Sequence, residues 1–314
     1  MITRLKCLGY WFALGIILGT PIDMASSAYA QSPAKFLDWS IETSKEVFYP
    51  GEPILLTLSI NNKGDQEQEI YFGGDGIGAF SFEIFDSNST IIAEGKKIER
   101  YGISSFVSTR VPPSTTVKKS VVLNRWCSTL LAPQQYHVVC NVGYRLFSEF
   151  GGNKGGPLHD IKLRLDIEIA ELDNPKFKKI LQGLIEQESR ISALTPKTND
   201  RTEIREWSYA KRIAREMIVF TESTIAIPDQ LRILRTEQNM RLKWDVIDSL
   251  VRSKTLDAGK GLVEAVEDPS MEDVKRELID AVYKLRETGK PDIIKATDGF
   301  VLKYKRPVLT KPID

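Results

Sequence analysis

The sequence predicts a two-part protein, a β-sandwich followed by a stack of helical hairpins. Three observations predict it. From Trp39 to Leu172, short runs rich in β-branched and aromatic residues alternate with turn formers, and no helical period interrupts them. At Asn174-Pro175 the apolar spacing changes to steps of three and four residues. A helical segment then recurs at an offset of 32 residues, Lys243-Trp-Asp-Val-Ile-Asp-Ser-Leu-Val-Arg252 aligning with Lys275-Arg-Glu-Leu-Ile-Asp-Ala-Val-Tyr-Lys284.

The first residues read as an export signal. Arg4 and Lys6 precede an apolar run from Leu8 to Leu18, and Ala28-Tyr29-Ala30 offers small residues at a cleavage site. The run is shorter than the ~20 residues of a membrane span, and no later stretch is long and apolar enough to be one. An uncleaved membrane anchor is the alternative. Cys7 lies before the apolar run, which disfavours a lipoprotein. The expected division is a signal peptide at 1–30, a sandwich at 31–173, a linker or capping helix at 174–202, helical repeats at 203–298 and a tail at 299–314.

Composition narrows the class of partner. The chain carries 43 basic and 42 acidic residues, a net charge of +1, without the basic footprint of a nucleic-acid binder. Removal of the signal leaves Cys127 and Cys140. Two cysteines in an exported chain, flanking the turn-like Leu131-Ala132-Pro133-Gln134-Gln135, point to one disulfide worth about 2–3 kcal/mol. The alternative is two separate buried thiols.

The strands follow from local pattern. Pro50-Gly51 turns the chain into Ile54–Ile60, which alternates apolar and polar. Asn61-Asn62-Lys63-Gly64-Asp65 turns it again before Glu69–Phe72. Phe80–Phe85 alternates cleanly and ends at Asp86-Ser87-Asn88-Ser89. Val117–Leu123 and Tyr136–Val142 are further strands. Ile161–Ile169 alternates aliphatic and charged residues throughout, so one face is buried and the other wet. About seven or eight such strands suggest a sandwich, with a closed barrel as the alternative.

The helices have recognisable starts. Asn174-Pro175 combines a capping residue with Pro at the first helical position, and Phe177, Ile180, Leu181, Leu184, Ile185, Ile191 and Leu194 form its stripe. Asp200 and Glu203 form a capping box before Ile204, Trp207, Ala210, Ile213, Ala214, Met217 and Ile218. Further helices are expected at about Pro228–Arg235, Arg241–Arg252, Leu256–Val266 and Ser270–Arg286. A hairpin repeating every 30 to 45 residues is the mark of an α-solenoid. An unrelated helical bundle is the alternative. Residues 300–314 alternate at Val301-Leu302-Lys303-Tyr304-Lys305 and are read as a docking strand or a tail.

Two family resemblances attach to these segments. Ile227-Pro228-Asp229-Gln230-Leu231, Asp268-Pro269-Ser270 and the spacing of Val274, Leu278, Ile279 and Val282 resemble HEAT-like repeats, over about 210 to 298. Tyr49-Pro50-Gly51-Glu52, Ile60-Asn61-Asn62, Phe82-Glu83-Ile84-Phe85-Asp86 and Leu131-Ala132-Pro133-Gln134-Gln135-Tyr136 resemble an exported immunoglobulin-like module of the bacterial proteinase-inhibitor type. Such modules usually read Pro-Gly-x-Tyr where this chain has Gln134. The resemblances imply an Ig-like antiparallel β-sandwich, with Tyr136 as a tyrosine corner bonding back to the main chain, and a HEAT-like α-solenoid. Neither carries catalytic residues, and inhibition does not follow from fold.

Reactive constellations are scarce. His137 lies three residues from Cys140 in one strand, so the two point to opposite faces. Cys127, Cys140, His137 and His159 match a zinc ligand count but no zinc spacing. Gly74-Asp75-Gly76-Ile77-Gly78 leads into a strand, not a helix, and reads as a loop at the end of the sandwich. Gly259-Lys260-Gly261 lacks the frame of a P-loop. Asp65, Asp75 and Asp86 sit in loops without calcium-loop spacing. Glu186 with Glu188, and Asp245 with Asp248, read as solvated helix faces. Trp244 at the edge of its stripe, with Arg241 and Lys243 beside it, is the candidate contact site; the alternative for Trp244 is packing between repeats.

These observations predict no cofactor, no metal and no catalytic residue. They point to an exported, periplasmic or secreted, non-enzymatic protein that binds a protein partner. A proteinase inhibitor acting through the loop at 73–78 and a carbohydrate-active enzyme with an unidentified carboxylate pair are the alternatives.

Overall fold

The computed structural model describes residues 28–31, 36–72, 79–94, 108–127, 130–146, 158–196 and 199–307. The signal segment at 1–27 and the glycine loops at 73–78 and 151–156, with Asp75, lie outside them. The described chain is β first and α second.

The strands are β1 (Ala28–Gln31), β2 (Leu37–Thr43), β3 (Val47–Phe48), β4 (Leu55–Asn62), β5 (Gln68–Tyr71), β6 (Phe80–Asp86), β7 (Ile91–Glu94), β8 (Ser108–Val111), β9 (Thr116–Val122), β10 (Gln134–Leu146) and β11 (His159–Ile169). One sheet has the order β1-β2-β4-β9; the other runs β3-β11-β10-β5-β8, with β6 also on β10 and β7 on β6. β1, which spans the expected cleavage position, pairs with β2. The register repeats the alternation of the sequence. In β11, Ile161, Leu163, Leu165, Ile167 and Ile169 are buried while Lys162, Arg164, Asp166 and Glu168 are exposed. Each aliphatic side chain so buried contributes roughly 1.5–3 kcal/mol. Inward residues of both sheets, including Trp39, Ile41, Leu58, Phe82, Val138 and Leu163, form one core.

One pairing departs from the antiparallel expectation. β3 runs parallel to the end of β11, Val47 opposite Glu168 and Phe48 opposite Ile169. The turn after β3 then has a built geometry. Pro50 presets one φ, Gly51 supplies φ +81°, and Glu52 N–H donates to Tyr49 O at 2.9 Å. The buried Glu52 carboxylate accepts from Tyr49 N–H at 3.1 Å and pairs with Lys45 at 2.6 Å. At the other end of β4, the Asn62 amide donates to Gln66 O and Val111 O and accepts from Gly64 N–H, closing the expected turn.

The cysteines correct the sequence reading. Cys127 and Cys140 are both buried free thiols, and no disulfide joins them. Cys140 sits in mid-strand opposite Phe82 and Leu163. Cys127 ends the turn after β9, its thiol directed to Leu123 O at 3.6 Å. Burial pushes the Cys127 thiol up to about 12 and the Cys140 thiol higher still, so neither presents a thiolate.

The helices are α1 (Asn174–Ala193), α2 (Arg201–Val219), α3 (Ile227–Thr236), α4 (Met240–Ser253), α5 (Leu256–Glu267), α6 (Lys275–Arg286) and α7 (Pro291–Lys303). The cap of α1 is Asp173, which accepts from Lys176 N–H, not Asn174. Asp200 caps α2, accepting from Thr202 N–H at 2.8 Å. The expected tail boundary at 299 falls inside α7, because Ile293, Thr297 and Phe300 share a helical spacing and are all buried. α3 packs on α4 and α5 on α6, with α4 against α6 and α3 against α5. The recurrent segments therefore occupy α4 and α6, where Val246 and Leu250 correspond to Leu278 and Val282. Gly261 has its reason here: a Cβ would meet Leu231 Cδ1 at 2.3 Å, so the glycine admits the α3 side chain.

Buried polar groups tie the helices together. Glu188 accepts from Arg215 Nε at 2.9 Å and Ser192 Oγ at 2.8 Å, and lies 3.1 Å from Arg232. Burial alone would raise its carboxyl, but the bonds from Arg215 and Ser192 hold it below the ordinary carboxylate range. The Gln230 amide donates to Val219 O and Thr221 O, covering the C-terminal carbonyls of α2.

The two halves meet at a continuous seam. Leu55 and Val122 of the sheet belong to the helical core cluster. Glu222 N–H donates to Gly51 O at 2.9 Å, and a Cβ on Gly51 would meet Glu222 O at 2.7 Å. Tyr209 of α2 takes both backbone groups of Ser120 on the outermost strand β9, accepting from its N–H and donating to its carbonyl.

Two outcomes follow. Gly51→Ala combines a positive φ with contact against fixed backbone, and is expected to lower stability by at least about 2 kcal/mol in urea unfolding. A neutral result would mean that the seam yields easily. Dithiothreitol is expected to leave the thermal midpoint unchanged, and both thiols should react with a thiol reagent only after denaturation.

Candidate functional site

The seam contains a cavity of about 150 Å³ lined by Arg125, Arg212, Glu216, Asn239, Arg241, Leu242 and Asp245. Local structure explains each position. Arg125 lies in the short helical turn Leu123–Arg125 that follows β9, and that turn is anchored by Asn124. Its amide oxygen accepts from Ile54 N–H at 2.7 Å and its amide nitrogen donates to Glu52 O at 3.0 Å. Arg212 and Glu216 are one turn apart on α2, with 3.4 Å between Nη1 and Oε1. Asn239 caps α4, accepting from Arg241 and Leu242 N–H. Arg241 and Asp245 are likewise one turn apart on α4.

Arg125 organises the charge. Its side chain is 5% exposed, and Nη2 contacts Asp245 and lies 3.4 Å from Glu216. Its guanidinium carbon is 5.0 Å from the Phe220 ring centre, and that of Arg252 is 5.7 Å from the same ring. Arg125 Nε and Nη1 are buried without a hydrogen-bond acceptor. Burial raises the Asp245 carboxyl to about 6; Arg125 opposes that shift and Glu216 adds to it. Burial, with Arg212 beside it, lowers the nearby Lys119 ammonium to about 8.

A raised carboxyl beside a second carboxylate is the kind of pair used in acid–base chemistry. Here both contact one guanidinium nitrogen, which holds them as ion pairs on either side of a cation. The arrangement suits charge recognition better than proton transfer.

The sequence-predicted residues separate. Arg241 lines the cavity. Lys243 is buried, its ammonium 2.7 Å from Asp273, so it joins α4 to the turn before α6. Trp244 is half-buried and packs against the helical core. Two carboxylates assigned to solvated faces are not there. Glu188 is 1% exposed among arginines, and Asp245 faces the cavity, because Arg241, Leu242 and Asp245 share the side of α4 turned to the sheets. Sequence reasoning missed Arg125, Arg212 and Glu216. The one signal was a cation inside the apolar stretch Leu123-Asn124-Arg125-Trp126-Cys127; its partners lie 91 and 120 residues away.

His137 is exposed, with Nδ1 2.6 Å from Asp166, and His159 stacks on Tyr144 with ring centres 5.1 Å apart. Neither approaches a buried cysteine as a ligand set. Among the described residues, no group of three or more His, Cys, Asp or Glu is placed to hold a metal ion. A second cavity, lined in part by Tyr49, Glu52, Cys127 and Glu222, has a volume of about 10 Å³, room for one water at most. No described helix is long and apolar enough to cross a membrane.

No family model matches the chain, and no curated protein matches it. A solved structure from Bordetella pertussis, described as an ApaA protein, aligns at 8% identity over 46% of this chain and 89% of that one, with a TM-score of 0.23. That likeness is too slight to define a shared fold.

The charge network carries a pH signature. A carboxyl raised in the folded state contributes stability that is fully present below its unfolded pKa and lost as pH rises through about 6. Asp245→Asn is therefore expected to gain stability relative to the natural protein between pH 4 and pH 7, by about 1–3 kcal/mol. Urea unfolding of both at four pH values measures this, and a pH-independent difference would contradict it. Arg125→Leu, which removes the cation shared by Asp245 and Glu216 and leaves only Arg212 beside Glu216, is expected to cost about 3 kcal/mol at pH 7.

Proposed function

We propose that this chain is an exported, non-catalytic binding or scaffold protein of the cell envelope, with an Ig-like β-sandwich carrying a HEAT-like helical stack. The observation that carries this reading is the seam. Arg125, Tyr209 and Gly51 hold the sheets and helices in one fixed relation, so both outer surfaces are presented together to a partner.

Several features support the parts. Two sheets share one core, and Tyr136 Oη donates to Ala132 O at 2.8 Å, the back-bond expected of a tyrosine corner. Successive hairpins α3–α4 and α5–α6 stack at the spacing of the sequence repeat. Export is supported by the three-part leader at 1–30. Trp244, half-open at the margin of the helical core, is the contact residue of this reading, since partly exposed tryptophans concentrate binding energy.

The test is cross-linking and pull-down of the chain from Gln31 to Asp314 in envelope and secreted fractions. One defined non-protease protein, captured in stoichiometric amount and lost at least tenfold with Trp244→Ala at unchanged thermal midpoint, is the expected result. Capture of a protease would replace this reading with inhibition, and absence of any specific partner would refute it.

A further inference from the structure

We infer that Asn88, at the tip of the hairpin between β6 and β7, is a modification site that accepts an N-linked glycan from an oligosaccharide carried on a polyprenyl diphosphate. The inference rests on the export part of the proposed function, since this modification belongs to secreted chains. It does not depend on the protein partner.

The sequence singles out one position. Of the nine asparagines, Asn88 alone heads an Asn-x-Ser/Thr triplet, Asn88-Ser89-Thr90. The middle residue must not be Pro, and Ser89 satisfies that. The triplet supplies two groups, an amide nitrogen that takes the sugar and a hydroxyl two residues on for a transferase to recognise.

The structure leaves both groups open. Asp86 Oδ1 accepts from Asn88 N–H at 2.9 Å and from Thr90 N–H at 2.8 Å, and Asp86 N–H donates to Thr90 O at 3.0 Å. Ser89, at φ +61°, turns the chain. The tip is thus held by main-chain groups and by Asp86. Ser87, Asn88, Ser89 and Thr90 are all exposed. Among the described residues, neither the Asn88 side-chain amide nor the Thr90 hydroxyl has a hydrogen-bond partner. Asn62 and Asn124 differ: they are buried, and each bonds to main-chain groups on both sides of its amide. The asparagine with the acceptor triplet therefore also has its amide in water, on a turn where a large substituent displaces nothing.

The transfer balances without a redox partner. Asn88 Nδ2 forms a bond to the anomeric carbon of the first sugar, and the bond from that carbon to the diphosphate oxygen breaks. The amide loses one proton, which leaves with the polyprenyl diphosphate. The product has a place in the fold. Among the described residues β7 pairs with β6 alone, so its far edge is open, and Ile91 at its start is 47% exposed. A bulky hydrophilic group just before Ile91 shields both from another chain.

The test is peptide mapping by mass spectrometry of the full-length chain, recovered from the envelope and secreted fractions of its own host. Tryptic cleavage isolates the site in the fragment Gly64–Lys96, and the most N-terminal fragment reports separately whether the leader has been removed. The expected result is a Gly64–Lys96 fragment heavier by whole sugar units attached at Asn88. Asn88→Gln and Thr90→Ala should each abolish the added mass; both changes are exposed, and an unchanged circular dichroism spectrum shows that the variants fold. An exported chain with Asn88 bare overturns the inference and leaves the export reading standing. Sugar that persists in Asn88→Gln lies on a hydroxyl and overturns the assignment. Recovery of the chain from the cytoplasm alone counts against export. Incubation of the folded chain with a purified oligosaccharyltransferase and its polyprenyl diphosphate donor then decides the site: transfer to Asn88 supports it, and no transfer overturns it.

Discussion

Arg125 is a cation removed from water by the junction of two differently built halves. A lone buried guanidinium is strongly unfavourable, so its position constrains what surrounds it. Glu216 and Asp245 must reach it from α2 and α4, and Phe220 must cover it. The turn that carries it must also be held still, which Asn124 achieves by bonding to both Ile54 and Glu52. One residue thus couples the edge of a sheet to two helices.

Several other buried polar groups of the seam find partners across it. Tyr209 serves the outer backbone groups of Ser120 on β9, which covers part of an open sheet edge. Gly51 gives up a side chain so that Glu222 can approach its carbonyl. Gln230 and Ser249 complete the end of α2. The helical stack is consequently fixed to the sheets by directional bonds and not by apolar contact alone, which gives the joint a defined angle.

Much of the fold was legible residue by residue. The alternation of Ile161 to Ile169 became β11 with the expected faces, and the repeated Lys243 and Lys275 segments became α4 and α6. Pro50-Gly51 formed the turn its chemistry requires. Misreadings had local causes. Val301 to Lys305 alternates over too few residues to outweigh the longer period from Ile293, so the segment is mostly helix. The cysteine spacing counted residues between thiols, whereas β10 fixes the direction of Cys140 and the turn after β9 fixes that of Cys127. The short strands β3, β7 and β8 lack enough residues to show a period at all.

The candidate site was barely legible, although Arg241 was among the residues singled out. A sequence periodicity states which side of an element is apolar, because burial of that side is decided by neighbours within one or two turns. It thereby establishes strands, helices and where most of them start. It does not state which charged residue will be drawn inward, since Asp245 and Asp248 look alike on paper. Their difference arises only when α4 lies against the sheets: Asp245 then faces Arg125, 120 residues away, while Asp248 stays in solvent. Coulomb attraction in a low-dielectric seam acts through space, so the charges that define the cavity were settled by the packing of the two halves and not by any pattern along the chain.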